Sequence, residues 1–471
     1  MKVNQIYTLV NSIARQMWGE DAITATDLTG LISMGKSVIS STTDRDCFLN
    51  VLVDRIGKTV IRTLDLELDF PNLLVNDFEW GSIIQKVNVQ PVMSSVNKSY
   101  QITEDGFTPN QFDVNPITAT QVFFTDSDTW EFDYTIPDVL LKSAFRSETE
   151  FNAFITAITS AVSDSMTMAI NNMSYMAIAN FAAEKLKANN GVVNLLAMYN
   201  AQFPTATLTA ANCITSPEFC RYASMIMNNY IKYMAKPSKL YNAGGMVRAT
   251  ARDNMHVLVS ADFASSVGAY LESDTFHKEL VALPNYKEYV CLQGTGNTSP
   301  NWIDNTSISI IPSSAESGDS AIEQSGIIGI FADRQAIAIG YTEMYSGTDR
   351  NNRNRYTNFT YSATKQYIND LSENGVIFLA ADPKGISLDK STLTFASSAA
   401  DAQALTATTT PVGETVTWKT SKATVATVSN GTVTPVGAGT CTITATSEID
   451  GLTYTASCAV TVGSSNNSKS R

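Results

Sequence analysis

Residues able to do chemistry are sparse in this sequence, and their spacing does not gather them into a reaction centre. Only two histidines occur, His256 and His277, and neither belongs to a His-Glu-x-x-His or comparable metal-binding pattern. His256 opens an apolar run and is read as a core or interface residue. Of the six cysteines, Cys47, Cys213, Cys220 and Cys291 are scattered, and no Cys-x-x-Cys pair suggests zinc. Cys441 and Cys458 could meet across a hairpin turned near Ser447 to Leu452. A slip of one residue would put them on opposite faces, and two reduced buried thiols are the ordinary reading.

Weaker motifs fare no better. Ser33-Met-Gly-Lys36 matches Ser-x-x-Lys, but the Ser-Asp-Asn and Lys-Thr-Gly boxes that give that motif meaning are missing. Gly294-Thr-Gly296 lacks the third glycine of a dinucleotide loop and reads as a turn. The acidic groups Asp65/Glu67/Asp69 and Asp126/Asp128 could hold a cation, although a solvated strand face or loop is the expected role. Arg350, Arg353 and Arg355, with Tyr356 and Phe359 nearby, could touch nucleic acid. Standing alone in an acidic chain, they are expected to form ion pairs at a subunit interface. No catalytic residue, cofactor-binding residue or metal site is therefore assigned, no cofactor is implied, and the chain is not expected to be an enzyme.

The bulk properties agree with a structural role. The chain has 471 residues, more than one compact core usually accommodates, so at least two domains are expected. An apolar fraction of 44% against 16% charged residues describes an ordinary globular protein. The net charge of −13 argues against gripping phosphates, which needs a clustered Lys/Arg surface. It does not forbid a wall that encloses DNA. Asn4, Gln5, Asn11, Arg15 and Gln16 interrupt any signal-peptide core, and no unbroken apolar run reaches the length of a membrane span, so no membrane partner and a cytoplasmic site of assembly are expected.

The elements that would position these residues fall into two regions. Ile6, Val10, Ile13 and Met17 recur at helical spacing within 3–18, and Phe48, Leu52, Ile56 and Val60 do so within 44–61. Residues 62–138 read as an extended, turn-rich excursion. Ser147-Glu148-Thr149-Glu150 is a capping box that opens a helix running to about Lys187 without proline or glycine, about 55–60 Å long, and Asn189-Asn190-Gly191 stops it. Ser216 caps a further helix with Pro217 at its first position. Short strands follow at 256–260 and 307–312, with an expected hairpin of 327–331 and 336–341, and then a buried strand at 376–381.

The composition changes at Asp382-Pro383-Lys384-Gly385. Between Lys384 and Gly463 lie 20 threonines, only three aromatics (Phe395, Trp418, Tyr454), and four Lys against five Asp/Glu. Alternating runs at 391–395, 403–410, 415–418, 423–428, 432–436, 440–446 and 454–462 predict about seven strands, with turns at Asn430-Gly431 and Asp450-Gly451. The polar end 464–471 is expected to be disordered.

Two resemblances emerge from these residues. Val416-Thr-Trp418, Ser421, Ala423-Thr-Val-Ala-Thr-Val428, Gly431-Thr-Val433, Gly437-Ala-Gly-Thr440 and Ile443-Thr-Ala445 make 386–462 similar to the bacterial immunoglobulin-like group 2 domain. There the tryptophan is core and the glycines make turns. The order of elements in 1–383, with Phe78-Glu-Trp-Gly-Ser-Ile-Ile84 and Tyr367-Ile-Asn-Asp-Leu-Ser-Glu-Asn-Gly-Val376, resembles tailed-phage major capsid proteins of the Hong Kong 97-type fold.

That resemblance implies an α+β shell domain at 1–383: an N-arm at 1–61, an E-loop at about 62–138, a spine helix at about 148–187, an axial domain at about 200–345 and a return strand at about 375–381. An all-β immunoglobulin-like domain would occupy 384–463. It also implies self-assembly as pentamers and hexamers into an icosahedral head around double-stranded DNA, without sequence-specific binding and with a portal. Since no long segment precedes the first helix, a separate scaffolding protein is expected. Lys86, Lys98, Asn358 and Asn369 are types that cross-link in some relatives, but no motif ties them together and no such role is assigned. The outer sandwich is expected to decorate the surface or bind glycans weakly. A tail-tube or other phage structural protein and a surface-adhesion protein are the alternatives, and the long helix and the lack of tandem sandwiches count against them.

Overall fold

The computed structural model describes residues 3–19, 24–63, 68–74, 84–92, 94, 112, 114, 116–117, 119–124, 127–206, 208–272, 286–292, 307–316 and 319–464. It is α+β, and it divides into two compact units, one of residues 1–177 with 337–370 and the other of 178–336 with 371–471. This differs from the expected division into a single body, 1–383, and a separate C-terminal domain. Two long strands near residues 337–369 leave the second unit and complete a sheet of the first.

The first unit opens with three helices, α1 (Val3–Trp18), α2 (Leu28–Ser40) and α3 (Thr42–Thr63). Val10 and Ile13 of α1 and Phe48 and Leu52 of α3 are buried, as their spacing requires, and α2 was not anticipated. Its start is set by Asp27, whose carboxylate accepts the Gly30 N–H at 2.7 Å. Strands β1 (Ile84–Val89) and β2 (Ala119–Phe124) pair antiparallel as a ribbon. β3 (Ser127–Pro137) lies within the expected excursion but belongs to a sheet of the unit's body. It pairs with β11 (Tyr356–Asn369), which pairs with β10 (Ile337–Asn351). The reason lies in its alternation. Tyr134 stacks on Phe359, its hydroxyl donates to the Ala161 carbonyl at 2.9 Å, and Ile136 is buried, so one face of β3 needs a core to cover it.

Helices α4 (Asp138–Ala144) and α5 (Glu148–Ala188) follow. The Ser147 hydroxyl accepts the Glu150 N–H at 3.2 Å, as the cap predicts. α5 ends where Asn189 and Gly191 take positive φ, 47° and 69°. By length and composition α5 is apolar enough to cross a membrane. Phe151, Val162, Ile170, Ile178 and Phe181 are buried, Asn180 and Glu184 accept backbone N–H groups of Ser313 and Ser314, and 28% of its most apolar stretch is buried.

In the second unit, five strands form a mixed sheet in the order β4-β12-β9-β5-β6. They are β4 (Val192–Asn194), β5 (Met255–Ser260), β6 (Lys287–Tyr289), β9 (Ile327–Asp333) and β12 (Gly375–Leu379). Helices α6 (Leu195–Gln202), α7 (Pro217–Met234) and α8 (Ala261–Glu272) supply Leu196, Phe219, Ile231 and Phe263 to a core shared with Val257, Phe331 and Phe378. The expected hairpin of 327–331 with 336–341 is not formed. β9 lies between β12 and β5, while β10 pairs with β11. A tight turn, with Ala336 N–H on the Asp333 carbonyl at 2.9 Å, separates the two strands into different sheets.

Residues 385–462 form nine strands, β13 to β21, where about seven were expected. β13 (Gly385–Leu388) was missed, and 403–410 divides into β15 (Gln403–Ala404) and β16 (Ala407–Thr410), which pair with β19 and β13. The other strands are β14 (Thr392–Phe395), β17 (Thr417–Thr420), β18 (Ala426–Ser429), β19 (Thr432–Pro435), β20 (Gly439–Ile449) and β21 (Leu452–Val462). Phe395, Leu405, Val433, Ile443 and Val460 make one apolar core, with Trp418 packed against it. Cys441 and Cys458 both point into that core as free thiols. The register places Cys441 opposite Val460 and Cys458 opposite Ile443, so the thiols are diagonal, about 7–8 Å apart at Cα and beyond easy bridging.

Gly35, on the buried side of α2, lies under Phe145, which packs against Phe48 and Phe151. A Cβ at this glycine would stand 2.5 Å from Phe145 Cγ. Glycine-to-alanine in a helix ordinarily gains about 0.5–1 kcal/mol, whereas overpacking a filled core costs about 1–3 kcal/mol. Gly35→Ala is thus expected to lower stability. A midpoint in urea equal to or above that of the parent protein would contradict this reading.

Candidate functional site

The residues singled out for chemistry stay apart in the fold. Ser33 and Lys36 sit exposed along α2. His256 is buried in β5, and its imidazole is held down to a pKa of about 4 by burial and the Arg334 charge, so it is neutral at ordinary pH. Asp69 accepts the Tyr175 hydroxyl at 3.1 Å. Lys86 is paired with Asp370 at 2.7 Å, and Asn358 accepts the Thr135 hydroxyl at 2.7 Å. Asp65, Glu67, Asp126, Lys98, His277, Gly294 and residues 78–83 lie outside the described residues. Among those described, no group of three His, Cys, Asp or Glu side chains could hold a metal ion.

What the first unit does build is a buried charge cluster. Asp138 is the first residue of α4, directly after β3, and its carboxylate accepts from both terminal guanidinium nitrogens of Arg350, at 3.0 and 2.9 Å. Arg45 of α3 reaches the same carboxylate at 3.0 Å. Arg350 also donates to Thr357 at 3.3 Å and lies 3.8 Å from Asp46. The Arg350 hydrogen bonds, with help from the two positive charges, hold the Asp138 carboxyl below the usual carboxylate range. Burial pushes Asp46 up against the pull of Arg350 and Arg45. The expectation for the arginine trio is thereby corrected. Arg350 is used inside its own subunit, and only Arg353 and Arg355 stay exposed at the β10–β11 turn.

In the second unit, the last turns of α5 clamp a loop. Asn180 accepts the Ser313 N–H at 3.0 Å, Glu184 accepts the Ser314 N–H at 2.7 Å, and Lys187 pairs with Asp319 at 2.9 Å. That loop joins β7 (Ile308–Ile310) to β8 (Ile322–Gln324). The turn between β20 and β21 then docks on β8. The Glu323 N–H donates to the Asp450 carbonyl at 2.9 Å, and Lys384 joins the Asp450 carboxylate at 2.7 Å to the Glu323 carbonyl at 3.1 Å. Gly451, at φ +77°, packs so closely that a Cβ would lie 2.3 Å from the Ala321 carbonyl oxygen. A crevice of about 470 Å³ remains beside this contact, lined by Lys187, Asp319, Gln324, Glu448 and Tyr454 among others.

Lys185 is the other exceptional group. It is 0% exposed, and its ammonium donates to the Tyr241 carbonyl at 2.7 Å and to Asn190 at 3.1 Å, with the Phe181 ring 6.0 Å away. Among the described residues no carboxylate pairs with it, and burial lowers its pKa to about 8.

These arrangements hold elements together, and none places a nucleophile beside a base. Against known proteins, residues 10–379 match the family described as Phi29-like phage major capsid protein. The chain belongs to that family. Among curated major capsid proteins, that of Bacillus phage PZA is 25% identical over 166 residues, 35% of this chain and 36% of the relative. The match thus spans about a third of the relative's length. Solved structures with similarity include the capsid of Staphylococcus phage Andhra, with TM-score 0.45, 9% identity, 66% of this chain and 83% of that one covered. Another is a chain from the structure of head fiber and inner core protein gp22 of native bacteriophage P68, with TM-score 0.44, 8% identity, and 66% and 84% covered.

In a capsid protein, internal ties of this kind hold each subunit rigid. Removing the charge of Asp138 leaves two buried guanidiniums facing each other, so Asp138→Asn is expected to cost about 3–5 kcal/mol, read as a drop in the unfolding midpoint. Lys185 gives a pH signature. Between its folded pKa of about 8 and its ordinary 10.5, the unfolded chain binds the proton and the folded chain does not, so its contribution makes stability rise with pH in that window. Lys185→Met should remove that part of the rise. Parallel stability curves for the two proteins from pH 8 to 10 would rule it out.

Proposed function

We propose that this chain is the building block of the icosahedral head of a tailed double-stranded DNA phage, assembling as pentamers and hexamers. The observation that carries this reading is the family match across residues 10–379. The element order supports the finer assignment to a Hong Kong 97-type fold: N-terminal helices, the two-stranded ribbon of β1 and β2, the long helix α5, a mixed-sheet region and the return strand β12. Partners on this reading are further copies of the chain, a separate scaffolding protein and a portal. DNA is enclosed without its sequence being read, as suits a net charge of −13. The protein would be assembled in the host cytoplasm and reside in the virion capsid, with no catalytic role.

For 384–463 we favour an immunoglobulin-like group 2 domain on the particle's outer side. Thr392, Thr394, Thr417, Thr440, Thr442, Thr455 and Thr461 are exposed on its four-stranded sheet. Such a face offers hydroxyls and no aromatic ring for stacking, which suits weak glycan adhesion or plain surface decoration.

The full-length chain, produced with its scaffolding protein and imaged in negative stain, is expected to give closed isometric shells. Open tubes would favour a tail-tube role, and monomers alone would refute both. A chain ending at Lys384 is expected to form shells of the same diameter that melt at lower temperature, because Glu323 loses the Asp450 carbonyl. If it forms no shells, the C-terminal region belongs to the wall.

A further inference from the structure

At one end of the β10–β11–β3 sheet, α4 and the β10–β11 turn lie side by side, joined by the Asp138 N–H on the Arg355 carbonyl at 3.0 Å. α4 turns Leu141 and Ala144 inward and leaves Val139 78% and Leu140 49% exposed. Four exposed cations accompany them, Lys142 in the last turn of α4, Arg146 just after it, and Arg353 and Arg355 on the turn. Among the described residues none of the four is in an ion pair. In a chain of net charge −13, an apolar pair accompanied by four unpaired cations is an unusual surface to leave in water.

The same unit carries the complement. Strand register and alternation place three rows on the sheet's outward face: Tyr345–Ser362–Glu131, Gly347–Thr360–Asp133 and Asp349–Asn358–Thr135. These rows hold three exposed carboxylates and a tyrosine 66% exposed, and no cation. The other face carries Tyr134, Phe359 and Tyr361, whose rings pack together. Asp349 lies beside the turn, whereas Asp133 and Glu131 stand four and six residues along β3 from Pro137, about 13 and 20 Å away, beyond direct pairing with Arg353 and Arg355 of the same copy.

We propose that the α4 and turn patch of one copy (Val139, Leu140, Arg353, Arg355) docks on the acidic outer face around Tyr345, Glu131 and Asp133 of a second copy. The inference deepens the shell-building reading and rests on it. Because the two patches differ, the contact is head-to-tail. Each copy that uses one patch presents the other, so the contact propagates into rings or arrays and does not stop at a dimer. The exposed Val139 and Leu140 favour a protein surface over DNA, since phosphates give no cover to apolar side chains. Opposite charge around an apolar centre sets the register of such a contact.

The test uses three full-length variants: Arg353→Glu with Arg355→Glu, Glu131→Lys with Asp133→Lys, and all four together. Each two-site variant is expected to give at least tenfold fewer particles on a gradient. Mixed one to one, the two should associate again into species heavier than either gives alone by sedimentation velocity, because both contacts between unlike copies pair opposite charges. The four-site variant should regain particles. Melting temperatures check folding, and Arg353→Gln with Arg355→Gln, which keeps the shape of the turn, should lower particle yield in the same direction if the glutamates unfold it. Wild-type yield from either arginine variant overturns the proposal, as does failure of the four-site variant to recover while melting like the parent. Normal particle yield with DNA retention lost would assign the turn to DNA instead. If the parent chain itself forms no particles, it is the shell-building reading that fails.

Discussion

The Asp138 carboxylate, held between Arg45 and Arg350, fixes the geometry of the first unit. One ionised group meets two guanidiniums in a nearly water-free site, so its position is set by three elements at once: α3 through Arg45, the start of α4 through its own backbone, and β10 through Arg350. A buried charge in such a site is tolerable only while its partners stay in place. The β10–β11 turn and α4 are thereby held beside each other, and Arg353 and Arg355 project from a rigid base. A surface that must fit many identical neighbours needs that rigidity, because every loosely held side chain adds an ordering cost to each contact.

The second unit obeys a related constraint. The last turns of α5 bury Asn180, Glu184 and Lys185, polar groups that an apolar core would not tolerate without partners. Backbone groups of the 312–316 loop and the Tyr241 carbonyl supply most of them, so the helix orders the loops around it. The β7–β8 segment, clamped in this way, becomes the seat for the β20–β21 turn. The C-terminal sheets are therefore docked on structured backbone as well as tethered through Lys384 and Gly385.

Local features of the fold are legible in the order of the residues alone. The extent of α5 follows from a capping serine, about 40 residues without proline or glycine, and an Asn-Gly stop. The turns at Asn430-Gly431 and Asp450-Gly451 follow from residues that accept positive φ, and all four take it. The alternation of Thr with apolar residues marks the C-terminal region as all-β.

The sequence by itself thus determined what depends on near neighbours: helix starts and stops, turn chemistry and strand faces. Only the tertiary structure decided partners. Arg350 looked like an interface residue until it met Asp138, 212 positions away, and Arg45 reaches the same carboxylate across 93. β9 and β10 looked like a hairpin because they are adjacent in sequence, yet each gains more by joining a different sheet. The physical reason is common to both cases. Charge pairing and strand pairing act through space, and residue periodicity carries no record of which distant element will arrive.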